Sequence, residues 1–166
     1  MPGHHLRLSD VRRRSRGGLK RLCGSDGVNL VEAAIITPLL VLLTFAIVEF
    51  SSLFYVYLAL ENGVTEATRY GVTGNTMGGA SRVESIKTAM RQATPTVTIA
   101  DSAFTFSHLP VGGSAWLSGT GGPDEIEKLT VDYTWTFFTP LMRPFFGDSR
   151  VHLRVSSTMK NEGRFQ

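Results

Sequence analysis

The chain contains a single cysteine, Cys23, among its 166 residues. No disulfide can therefore form within the chain, and any folded domain must be held together by packing and hydrogen bonds. No apolar stretch precedes Cys23, so the sequence also argues against a lipidated cysteine at that position.

Enzyme motifs are missing as well. The four histidines show no metal-ligand spacing such as His-Glu-x-x-His, and they are His4, His5, His108 and His152. The sequence has no Gly-x-Ser-x-Gly elbow and no Walker loop, and the glycines between positions 119 and 122 lack the strand-to-helix setting of a nucleotide site. We therefore expect no enzymatic activity, no catalytic residue, no cofactor and no metal. A dispersed catalytic site is the alternative.

Positive charge is concentrated in the first 27 residues, which hold seven lysines and arginines against two aspartates, a net charge of +5. The whole chain carries +3, so residues 28–166 carry −2. The sequence pI of about 9.3 therefore reflects this leader. Such a leader is typical of a solvated segment that sets membrane orientation, with a nucleic-acid patch as the alternative. We expect no nucleic-acid partner, because the remainder of the chain is acidic.

A long apolar run follows the leader. Residues 33–48 contain no charge and residues 50–60 contain none, so Glu49 alone interrupts the run. Its 28 residues would reach about 42 Å as a helix, whereas the hydrocarbon core of a bilayer is about 30 Å thick. We predict one membrane-spanning helix over residues 28–60, with membrane lipid as its surroundings. The basic flank places the N-terminus in the cytoplasm and residues 61–166 in an extracytoplasmic domain.

A cleaved secretory signal is a poorer explanation of this run. Signal peptides have an apolar core of about 7–15 residues followed by a cleavage site with small residues. Here the run is longer, and Phe54, Tyr55, Val56 and Tyr57 stand where small residues would be expected.

The sequence around the start of the helix resembles the TadE-like minor pilins, or pseudopilins, of tight-adherence (Flp-type) type IV pili. The residues that carry the resemblance are Gly27-Val-Asn-Leu-Val-Glu32-Ala-Ala-Ile-Ile-Thr-Pro38-Leu-Leu, Ile47-Val-Glu49-Phe50 and Ala67-Thr-Arg69-Tyr70. The resemblance implies that a prepilin peptidase cuts between Gly27 and Val28, and that Glu32, at the fifth mature position, assists assembly. Val28 departs from the aromatic residue of many type IV pilins, so N-methylation after cleavage stays open.

The resemblance also implies partners and a location. The partners are a prepilin peptidase, other minor or major pilins and the inner-membrane pilus platform. The protein would cross the bacterial inner membrane once, with a periplasmic C-terminal domain, before or without incorporation into a surface pilus that serves cell adhesion. The alternative is an uncleaved, single-pass membrane-anchored accessory or adhesive binding protein, in which the spacing from Gly27 to Glu32 is coincidental.

Three residues of the helix are candidates for assembly or helix packing. An ionisable side chain in a membrane is costly and usually has a partner, and for Glu32 we expect the α-amino group created at Val28, with contact to interfacial water as the alternative. For Glu49 the alternatives are an interfacial position and a partner in another pilin or in the platform. Pro38 removes a backbone donor and predicts a bend, functional or incidental.

The remaining residues predict an α+β fold. Apolar spacing extends the helix amphipathically to about residue 71, and Ser81 with Glu84 forms a capping box for a short second helix that ends before Pro95. Alternation after position 129 and again after position 151 predicts strands, and residues 96–106 predict another with a bulge or bend near Asp101. We expect a small antiparallel sheet of about three to four strands, against which both helical segments pack.

Two aromatic loops are candidates for partner contact. One is Gly-rich and contains Trp116, and the other, residues 137–147, contains Phe145 and Phe146 among four phenylalanines. Exposed aromatic patches often mark interaction surfaces. The alternative is that these rings close the core of the domain.

Overall fold

The computed structural model describes residues 26–140, 143–145, 147 and 149–165. Compact packing divides the chain into two units, one ending at Thr44 and the other beginning at Phe45, and each is described by itself. The sequence boundary at residue 60 between membrane helix and outer domain stays a prediction.

The first unit, in its described part, is the beginning of helix α1 (Asp26–Gly71). Its large apolar side chains are exposed, including Val28, Leu30, Ile35 and Leu39. Helix formation is expected, because the segment is rich in Leu, Ala and other apolar residues whose backbone groups can pair only within the helix in the absence of water. Among the described residues, α1 is the one helix long and apolar enough to cross a membrane, by length and composition.

Three hydroxyl side chains within α1 are satisfied by its own backbone. The hydroxyls of Thr44, Ser51 and Ser52 each donate to the carbonyl four residues earlier, at 2.8, 2.7 and 3.0 Å. Hydroxyl groups paired in this way can face an apolar medium without an unmet hydrogen bond.

The second unit combines the later part of α1 with a short helix and a sheet. Helix α2 is Arg82–Ala93, and the strands are β1 (Phe104–Leu109), β2 (Leu117–Ser118), β3 (Ile126–Thr136) and β4 (Arg150–Lys160). The strands are antiparallel and their order is β2-β1-β3-β4. Short 3₁₀ turns cover Asp101–Ala103 and Arg143–Phe145. The predicted α+β class is confirmed.

The hydrophobic core lies between the helices and one face of the sheet. Register places Val131 of β3 between Phe104 of β1 and Val155 of β4. The helical side of the core contributes Leu60, Val64, Ala67, Ile86 and Met90. The apolar spacing of α1 beyond residue 60 therefore identified the face that packs on the sheet.

One detail of the predicted fold is confirmed and one is corrected. Ser81 is the N-cap of α2 and accepts from the backbone N–H of Glu84 at 3.3 Å. The strand predicted over residues 96–106 is wrong in its first half, because the 3₁₀ turn at Asp101–Ala103 separates that half from β1. Val97 and Ile99 still reach the core, at 7% and 4% exposure, from irregular backbone.

Gly63 permits the close approach of α1 to the end of α2. A Cβ at this position would lie closer to the Cγ2 of Thr94 than two carbon atoms can approach, and 3.2 Å from the Sδ of Met90. Thr94 is held in place because its hydroxyl donates to the carbonyl of Met90 at 2.8 Å. A side chain at position 63 would therefore have to displace well-packed neighbours.

We expect Gly63→Ala to lower the melting temperature of the detergent-solubilised protein. Alanine gains about 1 kcal/mol over glycine in a helix, but overpacking costs about 1–3 kcal/mol. The exposed neighbour Asn62 provides the matched control, since Asn62→Ala changes helix propensity without a clash. A Gly63→Ala protein that melts at or above the wild-type temperature would contradict the steric explanation.

Candidate functional site

The expected cleavage site lies in the first turn of α1. Gly27 is exposed, no side chain packs within 4 Å of a Cβ built on it beyond its chain neighbours, and Val28 is 70% exposed. The first four N–H groups of a helix lack intrahelical partners, so this turn opens more easily than the helix interior. The leader before residue 26 lies outside the described residues.

Glu32 and Pro38 both lie within α1. Glu32 is exposed on the helix surface, and its expected partner, the α-amino group of Val28, does not exist in the uncut chain. The pairing therefore stays a prediction. The helix continues through Pro38, whose missing N–H leaves the carbonyl of Ala34 without its usual partner. The bend at Pro38 also stays a prediction.

Glu49 is buried, with 1% of its surface exposed. Its carboxylate accepts from the backbone N–H of Phe138 at 3.3 Å, from the N–H of Thr139 at 2.5 Å and from the hydroxyl of Thr139 at 2.6 Å. These donors belong to the loop that follows β3. The sequence predicted either an interfacial position for Glu49 or a partner in another chain. The structure shows a partner within the same chain, and we call this interaction the Glu49–loop contact.

A second polar contact forms around Arg82, the first residue of α2. Its guanidinium donates to the carbonyl of Gly71 at 3.0 and 2.8 Å and to the carbonyl of Gly121 at 2.7 Å. It also donates to Glu127 Oε2 at 2.6 Å and to Asn161 Oδ1 at 3.0 Å. We call these five residues the Arg82 cluster.

The Arg82 cluster joins distant segments of the second unit. Gly71 ends α1, Glu127 lies on β3, Gly121 lies before β3 and Asn161 follows β4. The amide of Asn161 extends the network, because its Nδ2 donates to the carbonyls of Thr120 and Gly122 at 3.2 and 2.8 Å. The ring of Phe165 covers the Arg82 guanidinium at 4.4 Å, a cation–π arrangement.

Glu127 is the most perturbed group of the cluster. Burial raises the pKa of its carboxyl to about 7, against the opposing positive charges of Arg82 and His108. Burial also lowers the pKa of the Arg82 guanidinium, and Glu127 opposes that effect. Within the described part of the chain, Glu127 Oε1 is buried without a hydrogen-bond partner. The carboxylate is thus paired on one oxygen alone, which favours its protonation.

The two polar contacts lie at opposite ends of the second unit. Gly71 is 22 residues beyond Glu49 on α1, and Phe138 is 11 residues beyond Glu127. These spans correspond to about 33 Å of helix and about 37 Å of strand. The helix and β3 therefore run side by side in opposite directions, held by Glu49 at one end and by Arg82 at the other.

Sequence reasoning missed the residues that form these contacts, namely Arg82, Glu127, Thr139 and Asn161. One signal was available for Glu127, because it is in phase with Leu129 and Val131 on the buried face of β3. An acidic residue on an apolar face requires a buried partner. No comparable signal marked Thr139, since the bonds to Glu49 join residues about 90 positions apart.

The two aromatic loops differ in what the structure describes. Trp116 is 47% exposed, and the Nζ of Lys128 lies 5.6 Å from the centre of its ring. Phe146 and the side chain of Phe145 lie outside the described residues. Partner contact through these three residues stays a prediction. In the described ranges, no group of three or more His, Cys, Asp or Glu side chains could hold a metal ion.

The family model of TadE-like proteins matches residues 27–69 of the chain. The match begins at Gly27 and covers most of α1, and it confirms the resemblance stated from the sequence. TadE-like proteins are pilus-associated and carry a membrane-anchoring helix, and the similarity found here is confined to 43 of the 166 residues. No curated protein matches the chain significantly. No solved structure matches it significantly either.

The raised pKa of Glu127 predicts that stability falls as pH rises. The ordinary pKa of 4.5 applies to the unfolded chain and about 7 to the folded one, so the folded state binds more protons between these values. From pH 5 to pH 8 we expect a loss of up to about 3 kcal/mol of unfolding free energy. Glu127→Gln should remove this part of the slope. Urea unfolding in detergent, followed by the fluorescence of buried Trp135, measures it.

Asp101 provides the control for that experiment. The hydrogen bond and charge of Arg91, together with Lys87, lower the pKa of the Asp101 carboxyl, so it stays ionised between pH 5 and pH 8. Asp101→Asn should leave the slope in this range unchanged. Parallel pH profiles for wild type and Glu127→Gln would show that burial does not control the ionisation of Glu127.

Proposed function

We propose that the chain is a minor pilin-like structural and assembly component of a tight-adherence (Flp-type) pilus. In this proposal a prepilin peptidase removes the leader after Gly27, and the mature protein packs against other pilins through α1. One observation carries the proposal: the TadE-like match over residues 27–69 falls on a helix that begins at Asp26 and exposes its apolar side chains.

The chemistry of the new N-terminus gives Glu32 its role. Cleavage before Val28 would create an α-amino group, which has a pKa of about 7.7–8.0 and is largely cationic at neutral pH. A carboxylate at the membrane edge is costly unless it is paired. The ammonium group of a neighbouring subunit would pair with the Glu32 carboxylate, and this pairing would fix how the two helices align. Processing would thus create the cation that assembly requires.

The second unit fits a structural role in this proposal. Its sheet and helices form a core closed by packing and by the Arg82 cluster, so it can present fixed surfaces to other minor pilins or to the inner-membrane platform. The basic leader favours an extracytoplasmic position for this unit by the positive-inside rule, and the resemblance to TadE-like proteins implies that this side is the periplasm.

An uncleaved, membrane-anchored accessory or adhesive protein is the second candidate. One observation favours it, because the Gly27–Val28 bond lies in helical backbone, whereas proteolysis prefers exposed, irregular segments. The first turn would have to unwind before a peptidase could cut it.

The two candidates predict different mature masses. In cells that contain a prepilin peptidase we expect the protein to lose its 27-residue leader and to begin at Val28, as measured by intact mass spectrometry and N-terminal sequencing. Gly27→Val should block cleavage, because a branched side chain alters the residue before the cut bond. The matched control, Gly24→Val, should be processed normally. Full-length wild-type protein from such cells would favour the uncleaved anchor.

A second prediction concerns assembly rather than processing. Glu32→Ala should leave membrane insertion and cleavage intact, because it removes a charge from an apolar helix, but it should reduce co-purification with other pilins several-fold. The control is Glu66→Ala, since the Glu66 side chain is 61% exposed and is paired with Arg69 on the same helix. Equal co-purification of wild type and Glu32→Ala would exclude the pairing with the N-terminus.

A further inference from the structure

The end of the second unit that carries the Glu49–loop contact has an apolar surface. On α1, Phe45, Ile47 and Val48 are 40%, 59% and 54% exposed. On the loop after β3, Phe138 is 69% exposed and Pro140 is also exposed. We call these five residues the helix–loop patch. The bonds from the loop to Glu49 keep its two parts together.

We propose that the helix–loop patch contacts lipid, with Phe138 inserted at the boundary between the headgroups and acyl chains of the outer leaflet. The loop after β3 would then be a second membrane contact of this protein, beside its spanning helix. The inference rests on the proposed membrane anchoring through α1 and adds a lipid-binding surface on the folded unit.

The hydrogen bonding of Glu49 fits an environment without water. In lipid, an unpaired carboxylate and unpaired backbone N–H groups each cost several kcal/mol. Glu49 and the N–H groups of Phe138 and Thr139 satisfy one another directly. The nearby hydroxyls of Ser51 and Ser52 are likewise satisfied by the backbone of α1. These polar groups therefore need no water, while the exposed side chain of Arg143 beside them donates to the carbonyl of Phe137 at 3.4 Å.

The length of the apolar segment also indicates that Glu49 lies near the outer leaflet. Glu49 lies 17 residues beyond Glu32 on α1, which corresponds to about 25 Å, whereas the hydrocarbon core is about 30 Å thick. If Glu32 lies at the inner edge of the core, Glu49 lies near its outer edge. A loop bonded to Glu49 then reaches the level where aromatic residues concentrate in membrane proteins.

The opposite end of the second unit carries exposed ionic side chains as well as the apolar residues Val111 and Trp116, which are 73% and 47% exposed. There the Arg82 cluster is buried, and the exposed side chains of Lys160 and Asp124 form an ion pair at 3.1 Å. We infer that lipid covers the helix–loop patch. Phe45, Ile47 and Val48 continue the uncharged run of α1, so the lipid that surrounds this run would also contact Phe138.

Depth-dependent quenching tests the proposal on the full chain. In a Cys23→Ser background, Phe138→Cys is labelled with an environment-sensitive nitrobenzoxadiazole fluorophore and the protein is reconstituted in phosphatidylethanolamine–phosphatidylglycerol vesicles. We expect a blue-shifted emission and strong quenching by lipids that carry a nitroxide near the headgroup end of the acyl chain. Val111→Cys is the matched control, because Val111 is apolar, 73% exposed and follows β1 at the opposite end of the sheet.

A label at Ile47→Cys separates this proposal from the membrane anchoring on which it rests. Quenching at position 47 with no more quenching at 138 than at 111 would overturn the lipid contact and leave the anchor intact. Absence of quenching at 47 would overturn both. A blue shift at 138 that grows with the protein-to-lipid ratio, without nitroxide quenching, would assign the patch to a protein partner and also overturn the proposal.

The role of Glu49 is tested in the same assay. Glu49→Gln places an amide that donates where a carboxylate accepted, so it should weaken the contact to Phe138 and Thr139 and reduce quenching of the label at 138. Glu61→Gln is the control, since Glu61 lies on the same helix and accepts from the Tyr57 hydroxyl at 2.9 Å. Unchanged quenching in Glu49→Gln would show that the contact does not position the loop.

Discussion

The second unit depends on the guanidinium of Arg82, whose side chain is 13% exposed. This one side chain satisfies the last carbonyl of α1, a carbonyl before β3, a carboxylate on β3 and an amide after β4. Five donors in a rigid plane can reach several segments at once, which a lysine could not do. A chain with one cysteine has no disulfide to join its segments. Charge-assisted hydrogen bonds serve that purpose here.

The Arg82 cluster and the Glu49–loop contact each pair a charged side chain with backbone groups from distant segments, and the two charges have opposite signs. At one end the guanidinium of Arg82 donates to backbone carbonyls, and at the other end the carboxylate of Glu49 accepts from backbone N–H groups. Between them, α1 meets the sheet through apolar side chains and through Gly63, where the backbone of α1 approaches α2. Polar groups thus fix the ends of the unit, and apolar packing fills its length. Glu127 has a hydrogen-bond partner on Oε2 but none on Oε1 in the described part of the chain, so the stability of the end that carries Arg82 depends on pH.

Local patterns predicted much of this fold. The 3.6-residue spacing of Leu60, Val64 and Ala67 marked the packed face of α1, and Ser81 marked the start of α2. Alternation identified the two long strands, although β3 begins three residues earlier than its apolar pattern, at Ile126. The error at residues 96–100 arose because buried side chains in irregular backbone resemble those of a strand. A buried side chain does not require its backbone to hydrogen-bond to a neighbouring strand.

The sequence by itself determined the apolar helix, its Gly27-to-Glu32 pattern, the absence of cross-links and the α+β class, because each depends on composition or on residues close in the chain. The tertiary structure decided which polar residues meet. Glu49 and Thr139 are separated by 90 positions and Arg82 and Asn161 by 79. No local periodicity relates such residues, since their contact depends on the order and register of the strands between them.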